Sequence, residues 1–157
     1  MATRILRWQN ITLRTLSNMN RRMNNRDRKY IKILMKIAEG LPLSACARVA
    51  ACIVIKNELI AIGVNESKTH PLAKRFSKNA HAIYLHAEIA AIKNALRLIH
   101  VDDLKSATLY VARAKRASRD GPWVEGIAAP CEGCARAIMS FGIRKVVYTP
   151  DSVLRCE

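Results

Sequence analysis

Pro130-Cys131-Glu132-Gly133-Cys134, with His86-Ala87-Glu88 ahead of it, is the pair of stretches on which the reading of this chain turns. One imidazole and two thiolates are the donor set of a tetrahedral Zn²⁺ site whose fourth position stays open to water, the layout of a catalytic centre. A structural site closes that position with a fourth Cys or His. Glu88 follows His86 closely enough to take a proton from such a water. Either motif alone is weak, because His-x-Glu recurs by accident and Cys-x-x-Cys also marks zinc knuckles and redox pairs. A redox pair usually opens the first helix of a thioredoxin-like unit near the start of a domain, whereas this one comes late and has a His-x-Glu before it. The competing reading, a buried histidine and two core cysteines, has to treat that order as chance.

Outward from the motifs, Asn25 is expected to cap a helix over 26–39, where Ile31, Leu34, Met35 and Ala38 recur at helical spacing and Gly40 and Pro42 end it. Ala47–Lys56 and Leu59–Asn65 read as strands joined at Asn57-Glu58. Residues 66–84 read as a polar, basic loop. A second helix runs from His86 to about Ile99, burying Ile89, Ile92, Leu96 and Ile99, and Thr108–Ala112 is a strand. Residues 113–129 read as a long loop with Arg113, Lys115, Arg116, Arg119 and Trp123. A third helix spans Cys131 to about Phe141, and Lys145–Thr149 is the last strand. The order α-β-β-α-β-α-β implies a three-layer α/β/α sandwich around a mixed β-sheet. Both motifs then open helices, whose N-terminal partial charge favours thiolates at Cys131 and Cys134. Their i, i+3 spacing puts both sulfurs on one side of the first turn.

The chain has 157 residues, enough for one domain with a proper core. It divides into a basic arm, residues 1–24, and a domain over 25–157. The first 22 residues hold Arg4, Arg7, Arg14, Arg21 and Arg22 and no acid, and Met23 stands just before the first clear helix. No apolar run is long enough to span a membrane and no secretory leader is evident. An odd cysteine count, with Cys46 and Cys52 in an apolar stretch and Cys156 near the end, argues against a disulfide framework and for a reducing cytoplasm. Lys and Arg number 27 against 12 Asp and Glu, a net charge of +15. Such a balance suits polyanions, either nucleotides or a nucleic acid backbone, or else is a merely solvated basic surface.

With these residues placed, the chain resembles the cytidine deaminase superfamily, whose zinc-dependent members carry H-x-E…P-C-x-x-C. The resemblance runs from about residue 26 to 149. It includes Gly63-Val64-Asn65, His86-Ala87-Glu88, Leu109-Tyr110-Val111, Pro130-Cys131-x-x-Cys134-Ala135 and Gly142 to Tyr148. The branch it is most similar to is the deoxycytidylate deaminases, in particular compact phage-encoded ones. The resemblance implies Zn²⁺ held by His86, Cys131 and Cys134, with Glu88 as general base and then acid. It further implies Asn65 on the sugar, the Ala87 and Cys131 backbone orienting the base, and a homo-oligomer. Lys68, Arg75 and Lys78 are candidates for a substrate phosphate because their loop leads into His86; the alternative is a solvated loop. The long 113–129 stretch and the lack of a further strand and helix after Thr149 depart from the pattern.

Three functions remain open on these grounds. One is hydrolytic deamination of a free cytosine nucleotide, dCMP to dUMP. The second is deamination of a polynucleotide, at C in single-stranded DNA or RNA or A in tRNA. The charge favours it, but two Phe, four Tyr and two Trp are few for stacking unpaired bases. The third is an inactive deaminase-fold module that binds nucleic acid, against which the intact His86, Glu88, Cys131 and Cys134 count.

Overall fold

The computed structural model describes residues 23–42, 47–77 and 84–151. The arm up to residue 22, Cys46, Lys78 and Cys156 lie outside them.

Helix α1, Asn25–Glu39, starts one residue earlier than expected, with Asn24 and not Asn25 as its cap. The reason is Asp27: its N–H donates to Asn24 Oδ1 at 2.8 Å while its Oδ2 accepts from Asn24 N–H at 3.3 Å, a reciprocal capping box. Asp27 is buried, and its other oxygen accepts from Tyr110 Oη at 2.8 Å and Lys145 Nζ at 3.2 Å. The carboxylate that starts the helix therefore also ties it to the sheet beneath. Ile31, Leu34, Met35 and Ala38 are buried, as their spacing requires.

Strands β1 (Arg48–Ile55) and β2 (Glu58–Val64) form an antiparallel hairpin. Its turn residues are Lys56 and Asn57, at φ 48° and 69°, one position ahead of the expected turn. A two-residue turn with both φ positive matches the right-handed twist of the strands. Tyr30 Oη donates to Asn57 O at 2.7 Å and holds the turn against α1.

Between hairpin and motif, the expected loop contains a short helix, α2 (Pro71–Phe76), capped by His70 Nδ1 accepting from Leu72 N–H at 3.1 Å. It is too short to register a period. Helix α3 (Ala87–Ala95) ends earlier than the expected Ile99: the chain turns through Leu96–Ile99, where the N–H groups of Leu98 and Ile99 both donate to Ala95 O, and enters a 3₁₀ helix, Val101–Ser106. Strand β3 (Thr108–Arg116) runs four residues further than expected and pairs with a strand absent from the sequence reading, β4 (Trp123–Gly126). Charges at Arg113, Lys115 and Arg116 had made this hairpin look like a loop. Helix α4 (Glu132–Ser140) and strand β5 (Lys145–Tyr148) complete the fold.

The sheet is mixed, in the order β2-β1-β3, with β4 antiparallel and β5 parallel along the far edge of β3. Alternate residues of the central strands face opposite sides. Ala50, Cys52, Tyr110 and Ala112 pack under α1, while Ala51, Ile53, Leu109 and Val111 pack with Ala87, Ala91 and Ile92 of α3 and Ile138 of α4. The architecture is the expected three-layer α/β/α sandwich. Among the described residues no helix is long and apolar enough to cross a membrane.

Gly63 fixes the depth of α3. A Cβ there would stand 2.1 Å from Ala91 N and 2.6 Å from Ala87 O, both backbone atoms that cannot swing aside. Asn94 Nδ2 then donates to Ile62 O at 2.8 Å, further along the same contact. Gly63→Ala should lower unfolding free energy by about 3 kcal/mol or more, measured by urea denaturation. A loss under about 1 kcal/mol would contradict this seating.

Candidate active site

Two helix N-termini meet at the carboxyl ends of the motifs' loops. His86 occupies the N-cap position of α3 and Cys131 that of α4, so the helices begin one residue after each. The His86 ring makes no capping bond. Its Nδ1 lies instead 3.5 Å from Cys131 Sγ and 3.3 Å from Cys134 Sγ. Cys131 Sγ accepts from Cys134 N–H at 3.5 Å, so the free backbone of α4's first turn helps hold the negative sulfur. The entry of the chain into His86 is set by a two-bond bridge, in which Glu66 N–H donates to Leu85 O at 2.9 Å and Leu85 N–H to Glu66 O at 3.1 Å.

The ligand-type atoms of His86, Cys131 and Cys134 all lie within 4.8 Å of one another. Bonds of about 2.3 Å to sulfur and 2.0 Å to nitrogen, meeting tetrahedrally at one ion, would place N and S about 3.5 Å apart, which matches the spacings here. Among the described residues the donor set is three, with no fourth Cys or His to close it. Cys131 is held low, to about 3, by the Cys134 thiol donating to it and by His86 beside it. Cys134 is pushed up by Cys131 next to it and by burial, and His86 is raised chiefly by its bond to Cys131. The cluster thus shares protons that a divalent cation displaces.

Glu88 is 6 % exposed. Burial pushes its carboxyl above the usual range, against the opposing pull of its own backbone N–H and of His86. It lines, with His86, Ala87 and Cys131, a cavity of about 260 Å³ whose other walls include Val49, Asn65, Tyr84, Arg113 and Ile127.

Asn65 reaches that wall, but its side chain is already engaged. Oδ1 accepts from Val49 N–H at 3.0 Å and Nδ2 donates to Ala47 O, leaving one N–H for anything in the cavity. Lys68 is exposed and 3.9 Å from Glu66, and Arg75 is exposed with its guanidinium 5.7 Å from the Phe76 ring centre. Neither lines the cavity. Among the described residues the cation that does is Arg113, in the stretch expected to be a loop. The signal that could have found it is the alternation Val111-Ala112-Arg113-Ala114-Lys115, small residues inward on one face and cations on the other. Tyr84 and Ile127, both exposed on the cavity wall, were likewise not singled out.

A three-donor metal group at two helix N-termini, with a buried carboxylate beside it under a small cavity, defines a hydrolytic metal centre. The chain belongs to the family described as the cytidine and deoxycytidylate deaminase zinc-binding region, whose model matches residues 24–150. The cofactor is zinc, for which the His86–Cys131–Cys134 group is positioned. Among solved structures, dCMP deaminase from the cyanophage S-TIM5 in apo form is 20 % identical with a TM-score of 0.54, over 83 % of this chain and 87 % of that one. Its complex with dCMP and dUMP is 18 % identical, TM-score 0.54, over 85 % and 88 %. Guanine deaminase from Bacillus subtilis is 21 % identical, TM-score 0.53, over 83 % and 67 %. These likenesses show the fold, and they include deaminases of different bases. No curated protein matches the chain significantly in sequence.

Asn65→Asp keeps the acceptor for Val49 N–H but cannot donate to Ala47 O. It should cost about 1–3 kcal/mol, the penalty of a polar group left without its partner, read as a lower thermal midpoint. An unchanged midpoint would mean that the Asn65 bonds do not hold the start of β1.

Proposed function

We propose that this protein is a zinc-dependent hydrolytic deaminase of a free cytosine nucleotide, converting dCMP and water to dUMP and ammonia. In this reading His86, Cys131 and Cys134 hold the zinc, and Glu88 moves the protons. The observation that carries it is a buried carboxylate beside an incomplete three-donor set, on the wall of a cavity with room for one base.

Zinc held there supplies a positive charge that lowers the pKa of a water beside it. Two thiolates blunt that charge, so the chain needs its own base. Glu88 accepts the proton from the water that adds to cytosine C4. It passes that proton to N3, then takes the proton of the C4 hydroxyl and gives it to the departing amine as ammonia leaves, acting first as base and then as acid. Burial, which favours its protonated form, suits the second role. The Ala87 and Cys131 backbone at the two helix starts orients the base, and the remaining N–H of Asn65 faces the sugar. Arg113, as a cation on the cavity wall, pairs with the 5′-phosphate; Lys68 and Arg75, which do not line the cavity, serve the approach of the anion, and Lys78, outside the described residues, stays a candidate for the phosphate. The domain over 25–157 does this work as a homo-oligomer in a reducing cytoplasm, and the arm over 1–24 is an accessory.

A second reading, a polynucleotide substrate, draws on one feature. The guanidiniums of Arg48 and Arg116 lie 4.4 and 4.1 Å from the centre of the Trp123 ring, on the hairpin that carries Arg113. A mononucleotide enzyme should lose activity only modestly with added salt, whereas one holding several phosphates loses affinity steeply.

Glu88→Gln should keep one zinc per chain while turnover falls about 10²–10⁴-fold; Cys131→Ala should lose the metal as well as the activity. Loss of zinc from the Gln variant would make Glu88 a ligand.

Arg113→Ala should raise KM for dCMP about 10- to 100-fold, the worth of one charge-assisted bond, and leave the slow turnover of cytidine unchanged. Equal effects on both substrates would remove Arg113 from the phosphate.

A further inference from the structure

Strands β4 and β5 lie end to end along one edge of β3, and the pairing breaks between them. The β5 partners of β3 stop at Val111, opposite Tyr148, and the β4 partners begin at Arg113, opposite Gly126. A seam of this kind leaves backbone groups without ladder partners at a buried place. Thr149 fills it. It is wholly buried, and among the described residues only Asp27 and Glu88 are other buried polar or charged side chains. Asp27 is accounted for by α1's cap and Glu88 by the site.

Four bonds radiate from Thr149. Its N–H donates to Val111 O at 3.1 Å and its carbonyl accepts from Ala128 N–H at 3.0 Å. Its Oγ1 accepts from Arg113 N–H at 3.2 Å and donates to Gly126 O at 2.6 Å. The hydroxyl is used as donor and acceptor at once, so neither Val nor Ala can replace it. Both ends of the cavity's outer wall hang on these bonds, Arg113 on one side and the run Ile127-Ala128-Ala129 that leads to Cys131 on the other. Gly126 completes the seat: a Cβ there would come within 3.2 Å of Lys115 Cδ and 3.3 Å of Arg113 Cδ, so the Arg113 stem passes across bare backbone.

We propose that Thr149 is a positioning residue for substrate, which aims Arg113 and the 127–129 wall into the cavity and so sets how firmly the anionic end of the substrate is held. The inference rests on the nucleotide reading above. It touches neither His86, Cys131, Cys134 nor Glu88, so the chemical step and the metal stand apart from it.

The test is a set of variants of the full chain loaded with zinc and assayed on dCMP. Thr149→Val, nearly isosteric, should raise KM about tenfold with kcat within about twofold and zinc still one per chain, as expected for the loss of one binding bond's worth of alignment. Thr149→Ser keeps the hydroxyl and should restore the wild-type KM. In an Arg113→Ala background the Val substitution should change KM much less than it does in the wild type. A fall in kcat with KM unchanged, a Ser variant as poor as Val, or an undiminished effect in the Arg113→Ala background would each overturn the proposal. If the Val variant does not fold, Thr149→Cys, which keeps a weak donor of similar size, is read on the same KM–kcat split. Should wild-type enzyme deaminate single-stranded DNA and not dCMP, the nucleotide reading fails, and the same variants assayed on that DNA decide the role of Thr149 separately.

Discussion

At Gly63 no side chain stands between β2 and α3, and the helix backbone rests against the strand backbone. Everything at the site inherits its depth from that contact. Ala87 and Ala91 lie on the strand side of α3, which leaves His86 at the helix cap, open to the cavity, and Glu88 turned down into a buried place. Had β2 carried any side chain at this position, α3 would stand further out and the imidazole would separate from the two sulfurs contributed by α4. The spacings of 3.3 and 3.5 Å about His86 Nδ1 are therefore a consequence of sheet packing before they are a matter of metal chemistry.

The second half of the cluster is positioned by different means. Cys131 and Cys134 belong to one turn, so their mutual placement is local, fixed by the N-cap geometry of α4. What has to be arranged at long range is only the approach of that turn to His86. Packing of Cys134 and Ala137 of α4 against Leu85, Ile89 and Ala90 does this. The cavity consequently has a rigid floor, made of two helix starts over the sheet, and an outer wall made of strand ends and their connections. Such a division suits an enzyme whose chemistry is constant and whose substrate preference varies.

Most of the floor is legible in the sequence, and little of the wall. The two motifs, the periodicity of α1 and the alternation of β1 and β2 are local signals, and the sandwich follows from their order. Asn24 and its neighbour Asn25 are equally suited as caps in the sequence, and only the reciprocal bonds with Asp27 decide between them. The β3–β4 hairpin was hidden because its strands carry Arg113, Lys115 and Arg116, which lie on the sheet's rim where cations are tolerated. Arg113 could be placed on the cavity only once β3 was known to run to Arg116, whereas Lys68 and Arg75 were favoured by nearness in sequence to His86, which the short helix α2 and the Glu66–Leu85 bridge turn into a different geometry. Thr149, a lone polar residue at a strand end, carries no pattern, and its role exists only through partners 23 and 36 positions away.

The central claim is that this cluster and cavity hydrolyse a free cytosine nucleotide. The most direct measurement is a parallel product analysis with the purified zinc-loaded protein on dCMP, CMP, dCTP, cytidine, guanine, single-stranded DNA and tRNA, following ammonia release and the one-dalton mass gain of deamination. dCMP should be converted to dUMP far faster than cytidine is converted to uridine, with no product from guanine. Deamination confined to the polymers or to guanine, or no deamination of any of them by fully zinc-loaded protein, would contradict it.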